Sequence, residues 1–73
     1  MNNRTLEERE KYINAFYKFN HVLTKNQHQV FYLYYIEDLS ISEISNILAT
    51  TRSNAHDALT KARNNLKPFI DIE

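Results

Sequence analysis

The side chains able to do chemistry gather near the carboxyl end of this chain. Arg52, Ser53, Asn54, His56, Asp57, Thr60, Lys61, Arg63, Asn64 and Lys67 all lie between Thr51 and Pro68. On a helical period of 3.6 they fall on one side, and Ala55, Ala58, Leu59, Ala62 and Leu66 fall on the other. A guanidinium grips phosphate through a planar fork, and Ser, Asn and His side chains reach base edges. Asp57 opposes phosphate but can accept from a cytosine amino group. Four basic residues against one acid give Thr51 to Lys67 a charge of +3. The segment from His21 to Thr50 is the reverse, with Lys25 against Glu37, Asp38 and Glu43. Over all 73 residues, nine Lys plus Arg balance nine Asp plus Glu, so any polyanion contact must come from this local clustering.

Other chemistries lack their residues. There is no cysteine, which excludes disulfides, thiolate zinc sites and thiol nucleophiles. There is no glycine, which excludes glycine-rich phosphate loops and dinucleotide fingerprints. His21, His28 and His56 are not spaced i, i+4, and no acid is placed consistently beside them, so no metal is expected. No serine sits in a nucleophile elbow, and an 8.7 kDa chain has little depth for a dry pocket. The expectation is a protein that is not an enzyme and needs no cofactor. A cysteine-free chain fits a reducing compartment, here the cytoplasm. No apolar run approaches the roughly 18 residues of a membrane span, so no membrane insertion is expected. Met1 to Glu10 lacks the apolar core of a secretory signal.

The elements that must position this face are helical. Without glycine, and with Pro68 as the lone proline, hairpin turns are hard to build. One all-α domain over residues 1–73 is expected, with four helices in a compact arrangement. Three capping boxes mark helix starts: Thr5 with Glu8, Thr24 with Gln27, and Ser40 with Glu43. The first helix is expected over about residues 6–19, burying Leu6, Ile13 and Phe16 with Tyr12 and Phe19 beside them. The second, about 25–36, turns Val30, Phe31, Leu33 and Tyr34 inward and keeps Tyr32 and Tyr35 on its flanks. Its apolar arc covers more than half its circumference, which places it centrally. Glu37 and Asp38 follow it as solvated charges that sit poorly with the helix dipole. The third, about 41–48, buries Ile41, Ile44, Ile47 and Leu48 as one stripe. The fourth, about 52–67, is capped by Thr51 and ended by Pro68, because the residue before proline avoids α geometry. Residues 68–73 form a tail. Helix ends are expected to close with Asn20, Asn46, Asn64 or Asn65, or with other non-glycine turns.

A short helix, a tight turn and a longer helix from Ser40 to Leu66 describe a helix-turn-helix. Ser45 is the small residue expected where its two helices touch. Ala49 stands in the turn, where glycine is common, and a positive φ there costs about 1 kcal/mol or more.

The segments INAFYKF, LTKNQHQVFYLYYIEDLSISEI and TTRSNAHDAL resemble the YlxM-like helix-turn-helix family, itself similar to region four of bacterial sigma factors. The resemblance covers roughly Glu7 to Leu66. Its most specific part is the spacing from the LT that opens the second helix to the TR that opens the fourth. It implies a sigma factor region four-like fold with a DNA-binding type of motif. It also implies a regulatory part beside the signal recognition particle pathway, through its RNA or its GTPase. The chain departs from the family pattern at Ala49, Thr50 and Ala55, where glycine, valine and valine are usual. The family commonly carries a longer, charged helical segment past the position of Glu73.

Two functions follow. In the first, the outer face of the fourth helix contacts nucleic acid, DNA or structured RNA. Arg52 holds a phosphate or reads a base edge, Ser53, Asn54, His56 and Asp57 enter a groove, and Lys61, Arg63 and Lys67 follow the backbone, with Thr60 between them. In the second, the same fold is a protein–protein adaptor with weak or no nucleic-acid binding, which the zero net charge favours. Single motifs of this kind usually work in pairs on palindromic DNA, so a homodimer is a possible partner state, although no coiled-coil seam is evident.

Overall fold

The computed structural model describes residues 3–70, with side chains from residue 7 onward. Within them are α1 (Asn3–Phe19), α2 (Lys25–Phe31), α3 (Ile41–Ile47) and α4 (Arg52–Ile70), and no strand. A 3-10 turn, Asn20–Val22, follows α1, and a π-helical turn, Tyr32–Ile36, continues α2. The fold is all-α and contains the helix-turn-helix expected from Ser40 onward. α1 begins at Asn3 rather than Leu6, so Thr5 lies inside the helix instead of capping it. The side chains of Thr5 and Leu6 lie outside the described residues.

The other two capping boxes are formed. Thr24 Oγ1 accepts from the Gln27 N–H at 3.2 Å, and Gln27 Oε1 accepts from the Thr24 N–H at 3.2 Å. Ser40 and Glu43 repeat this at 3.1 and 2.8 Å. Each cap is worth about 1 kcal/mol, which matters for α2 and α3 because seven residues alone do not sustain a helix. Their stability comes mainly from the face each buries.

That face meets α4. Val30 and Phe31 of α2, Ile44 of α3, Ala15 and Phe16 of α1, and Ala55, Ala58, Leu59, Ala62 and Leu66 of α4 form one buried core. Three alanines on the inner side of α4 let the other helices approach it closely. Ser45 is buried at the α3 contact, where its hydroxyl donates to the Ser42 carbonyl at 2.8 Å. Aromatic rings fill the layer between α1 and α2. Phe16 stacks on Phe31 at 4.8 Å, and Phe31 stacks on Tyr35 at 4.3 Å.

Four expectations are corrected. Tyr35 is not on a flank: at 8% exposure it belongs to the core, one turn beyond Phe31 on the same side. Ile47 is not in the buried stripe: it is 58% exposed, because six residues on from Ile41 it lies about 120° round the helix, away from the side that Ile44, Ser45 and Leu48 turn to the core. Pro68 does not end the last helix, which runs through it to Ile70. Proline forfeits one backbone hydrogen bond in that final turn. Packing offsets it: Phe69 stacks on Phe19 with ring centres 4.3 Å apart, and Ile70 lies against the core. Finally, Asp38 is not merely solvated. Its Oδ1 accepts from Arg9 Nη2 at 3.0 Å, and the same nitrogen donates to the Tyr35 carbonyl at 3.0 Å. An arginine from α1 thus supplies the cation that the carboxyl end of α2 lacks in its own sequence.

The left-handed positions fall on Asp38 (φ 63°) and Ala49 (φ 54°), not on the asparagines. Asn20 serves a helix end differently, donating from Nδ2 to the Phe16 carbonyl at 3.0 Å. At Ala49 the turn has the Schellman pattern: the Thr50 N–H reaches the Ser45 carbonyl at 2.9 Å, and the Ala49 N–H reaches the Asn46 carbonyl at 3.3 Å. Those two bonds retain a conformation that an alanine Cβ disfavours by about 1–2 kcal/mol.

Candidate nucleic-acid interface

The turn at Ala49 sets the start of α4, and Thr51 fixes it. Thr51 Oγ1 accepts from the Asn54 N–H at 3.0 Å, and the Thr51 carbonyl accepts from the Ala55 N–H at 3.0 Å. The alanine–leucine side is turned inward, which leaves the polar side outward. Arg52, Ser53, Asn54, His56, Asp57, Lys61 and Lys67 are exposed, and Thr60 and Arg63 are half-buried. The backbone measures only 36 × 31 × 17 Å. The thin dimension admits two helix layers about 8–10 Å apart, so α4 keeps a free outer face.

The amino-terminal end of that face is concave. Arg52, Ser53, Asn54, His56 and Asp57 line an open depression whose far wall is Ile41 at the start of α3. This brings together five of the sequence-predicted residues. Asn54 is partly committed, since its Nδ2 donates to Thr50 Oγ1 at 3.2 Å. Arg52 makes no hydrogen bond or ion pair among the described residues.

Farther along, Lys61 Nζ pairs with Asp57 Oδ2 at 3.2 Å one turn earlier. Both partners are well exposed, so the pair is worth well under 1 kcal/mol and opens readily to a competing phosphate. Lys67 makes no ion pair among the described residues. Arg63 differs from these. Its Nε donates to Tyr35 Oη at 2.8 Å, and its guanidinium lies 5.7 Å from the ring centres of both Tyr34 and Tyr35. It leans back onto the domain, and Thr60 sits half-buried one turn before it.

Sequence reasoning passed over Arg9 and gave Tyr34 and Tyr35 no polar role. The bonds involved join residues 26 to 29 positions apart. No periodicity within one helix reports such a pairing. The histidines are dispersed: His28 packs against Phe16 with ring centres 4.8 Å apart, while His56 sits on the outer face of α4. Among the described residues no three His, Asp or Glu side chains converge as a metal site requires. No helix among them is long and apolar enough to cross a membrane.

Comparison with known proteins bears on the fold and its family. The model of a helix-turn-helix family described as YlxM / p13 like, UPF0122, matches residues 6–71. A UPF0122 protein of Caldanaerobacter subterraneus subsp. tengcongensis is 41% identical over 46 residues, which are 63% of this chain and 39% of that protein. UPF0122 proteins of Thermoanaerobacter sp. (strain X514) and Thermoanaerobacter pseudethanolicus are each 38% identical over 48 residues, 66% of this chain and 41% of their own lengths. The matched stretch spans about two fifths of these curated relatives. No solved structure matches.

Proposed function

Because the chain belongs to the YlxM/p13-like helix-turn-helix family, we propose that it is a nucleic-acid-binding regulator whose contact surface is the outer face of α4. The observation that carries this reading is the concave start of that face, with Arg52, unpaired among the described residues, beside Ser53, Asn54, His56 and Asp57. Those side chains enter a groove while Lys61, Arg63 and Lys67 follow the phosphates, with Thr60 between. The role is binding, not catalysis, and it belongs in the cytoplasm. The ligand is DNA or a structured RNA. On RNA the contact is to shape and phosphate, since the deep major groove does not admit a helix. The family resemblance supports signal recognition particle RNA as the RNA candidate, with that particle's GTPase as a neighbouring protein partner.

Titration against salt tests the reading. Four phosphate contacts on duplex DNA give a slope of log affinity against log salt of about −3.6. Arg52→Ala lowers the affinity and makes the slope shallower by about 0.9. Undetectable binding of duplex DNA and structured RNA at about 50 mM salt overturns it.

One observation favours a second reading, a protein adaptor on the same fold. Tyr32, Leu33, Ile47 and Leu48 line an apolar groove between the end of α2 and the helix-turn-helix turn, with Ile47 exposed. Retained capture of a protein partner together with absent nucleic-acid binding selects this reading. A homodimer is the remaining partner state, and sedimentation velocity at micromolar concentration reads it directly.

A further inference from the structure

A second concavity lies where α1, the π-helical turn and α4 meet. It has a volume of about 370 Å³ and is lined by Glu8, Arg9, Tyr12, Tyr34, Tyr35 and Arg63. Two guanidiniums share it: their central carbons lie 5.1 Å (Arg9) and 5.7 Å (Arg63) from the centre of the same Tyr35 ring. Like charges brought to one ring repel, so the arrangement needs a reason. Clamping the helices explains part of it. Arg9 fastens α1 to the end of α2 through Nη2, and Arg63 fastens α4 to Tyr35 through Nε.

The clamp leaves donors unused. A guanidinium carries five N–H groups in a rigid fork. Among the described residues, no acceptor takes the Nη hydrogens of Arg63, and the Tyr34 hydroxyl has no hydrogen-bond partner. The Nε bond to Tyr35 restrains the Arg63 guanidinium in advance, so little side-chain entropy remains to be lost on binding. Tyr34 stands edge-on to Tyr35 at 5.1 Å, which positions its ring.

We infer that this concavity seats one phosphodiester group of a nucleic-acid strand. The Arg63 Nη groups and the Tyr34 hydroxyl donate to the phosphate, Arg9 lines the seat with its charge largely balanced by Asp38, and Tyr35 is a positioning residue. The inference rests on the nucleic-acid reading above and extends it to α1 and the π-helical turn. Arg52 and Arg63 are separated by about 16 Å along α4, a distance that duplex covers in about five base pairs. Two carboxylates work against the seat: Glu8 is exposed and lines the same concavity, and Asp38 holds Arg9 at 3.0 Å.

Glu8 and Tyr34 make the test sharp, because neither belongs to the outer face of α4. The probes are a fluorescein-labelled 20-base-pair duplex and a labelled RNA hairpin, titrated by anisotropy at low salt. Glu8→Gln is expected to tighten binding about 2- to 5-fold by removing the repulsion. Tyr34→Phe is expected to weaken it about 3- to 10-fold, the worth of one hydrogen bond, with the melting temperature unchanged. Inorganic phosphate at matched ionic strength is expected to leave binding unaltered. Wild-type binding with both variants unchanged overturns the seat and leaves the α4 reading intact. Displacement of the probe by inorganic phosphate overturns the strand assignment in favour of a free anion. Absence of wild-type binding to both probes overturns the nucleic-acid reading, and the seat with it.

Discussion

The two halves of α4 share one sequence pattern and live in different surroundings. In the amino-terminal half the outward side chains touch only near neighbours: Asn54 bonds to Thr50, Asp57 pairs with Lys61, and Arg52 bonds to nothing among the described residues. In the carboxyl-terminal half they reach across the molecule. Arg63 bonds to Tyr35, 28 residues away, Asn65 Nδ2 donates to Gln27 Oε1 at 2.9 Å, 38 residues away, and Phe69 stacks on Phe19. The helix is fastened at its far end and presented at its near end. That arrangement gives a ligand a firm surface whose near end is uncommitted, and Arg63 alone among the proposed contacts both fastens the fold through Nε and keeps Nη donors for a partner.

The largest test of this contrast acts on the fastened half. Leu66 is fully buried, so Leu66→Ala is expected to cost about 2–5 kcal/mol in urea unfolding, a large share of a small domain's stability. A cost under about 1 kcal/mol would mean that the carboxyl-terminal half is not the anchor. Next comes the turn that aims the free half. Ala49→Gly removes the Cβ from a left-handed position, so it is expected to raise stability by about 1 kcal/mol, partly offset by the freer unfolded chain. A loss of stability there would show that the Ala49 methyl packs in a way that outweighs its φ. The smallest effect is the most diagnostic. Arg52→Ala is expected to leave stability within about 0.5 kcal/mol while weakening nucleic-acid binding. A large destabilisation would place Arg52 among the fastening residues and erase the difference between the halves.

Much of this was legible beforehand, and for local reasons. The capping boxes at Thr24 and Ser40 depend on side chains three residues apart, and both are formed. The inner stripe Ala55, Leu59, Ala62 and Leu66 follows from period alone and is buried throughout. Errors arose where a distant residue outweighed a local rule. Proline's preference at position 68 lost to the stacking of Phe69 on Phe19. Ile47, by contrast, lies outside the stripe for a local reason, since it falls about 120° round the helix from Ile41. Tyr35 was assigned to a flank, and its ring instead sits between Phe31 and two arginines brought from α1 and α4.

The amino-acid sequence by itself determined that the chain is helical, where α2 and α3 begin, and which side of α4 turns inward. Those follow from short-range hydrogen bonding, the absence of glycine and the spacing of apolar residues. Only the tertiary structure decided which cations stay free. Arg52, Arg63 and Arg9 are chemically identical, and a sequence assigns them no different fates. Packing brought Tyr35 and Asp38 within hydrogen-bond reach of two of them and left the third facing solvent.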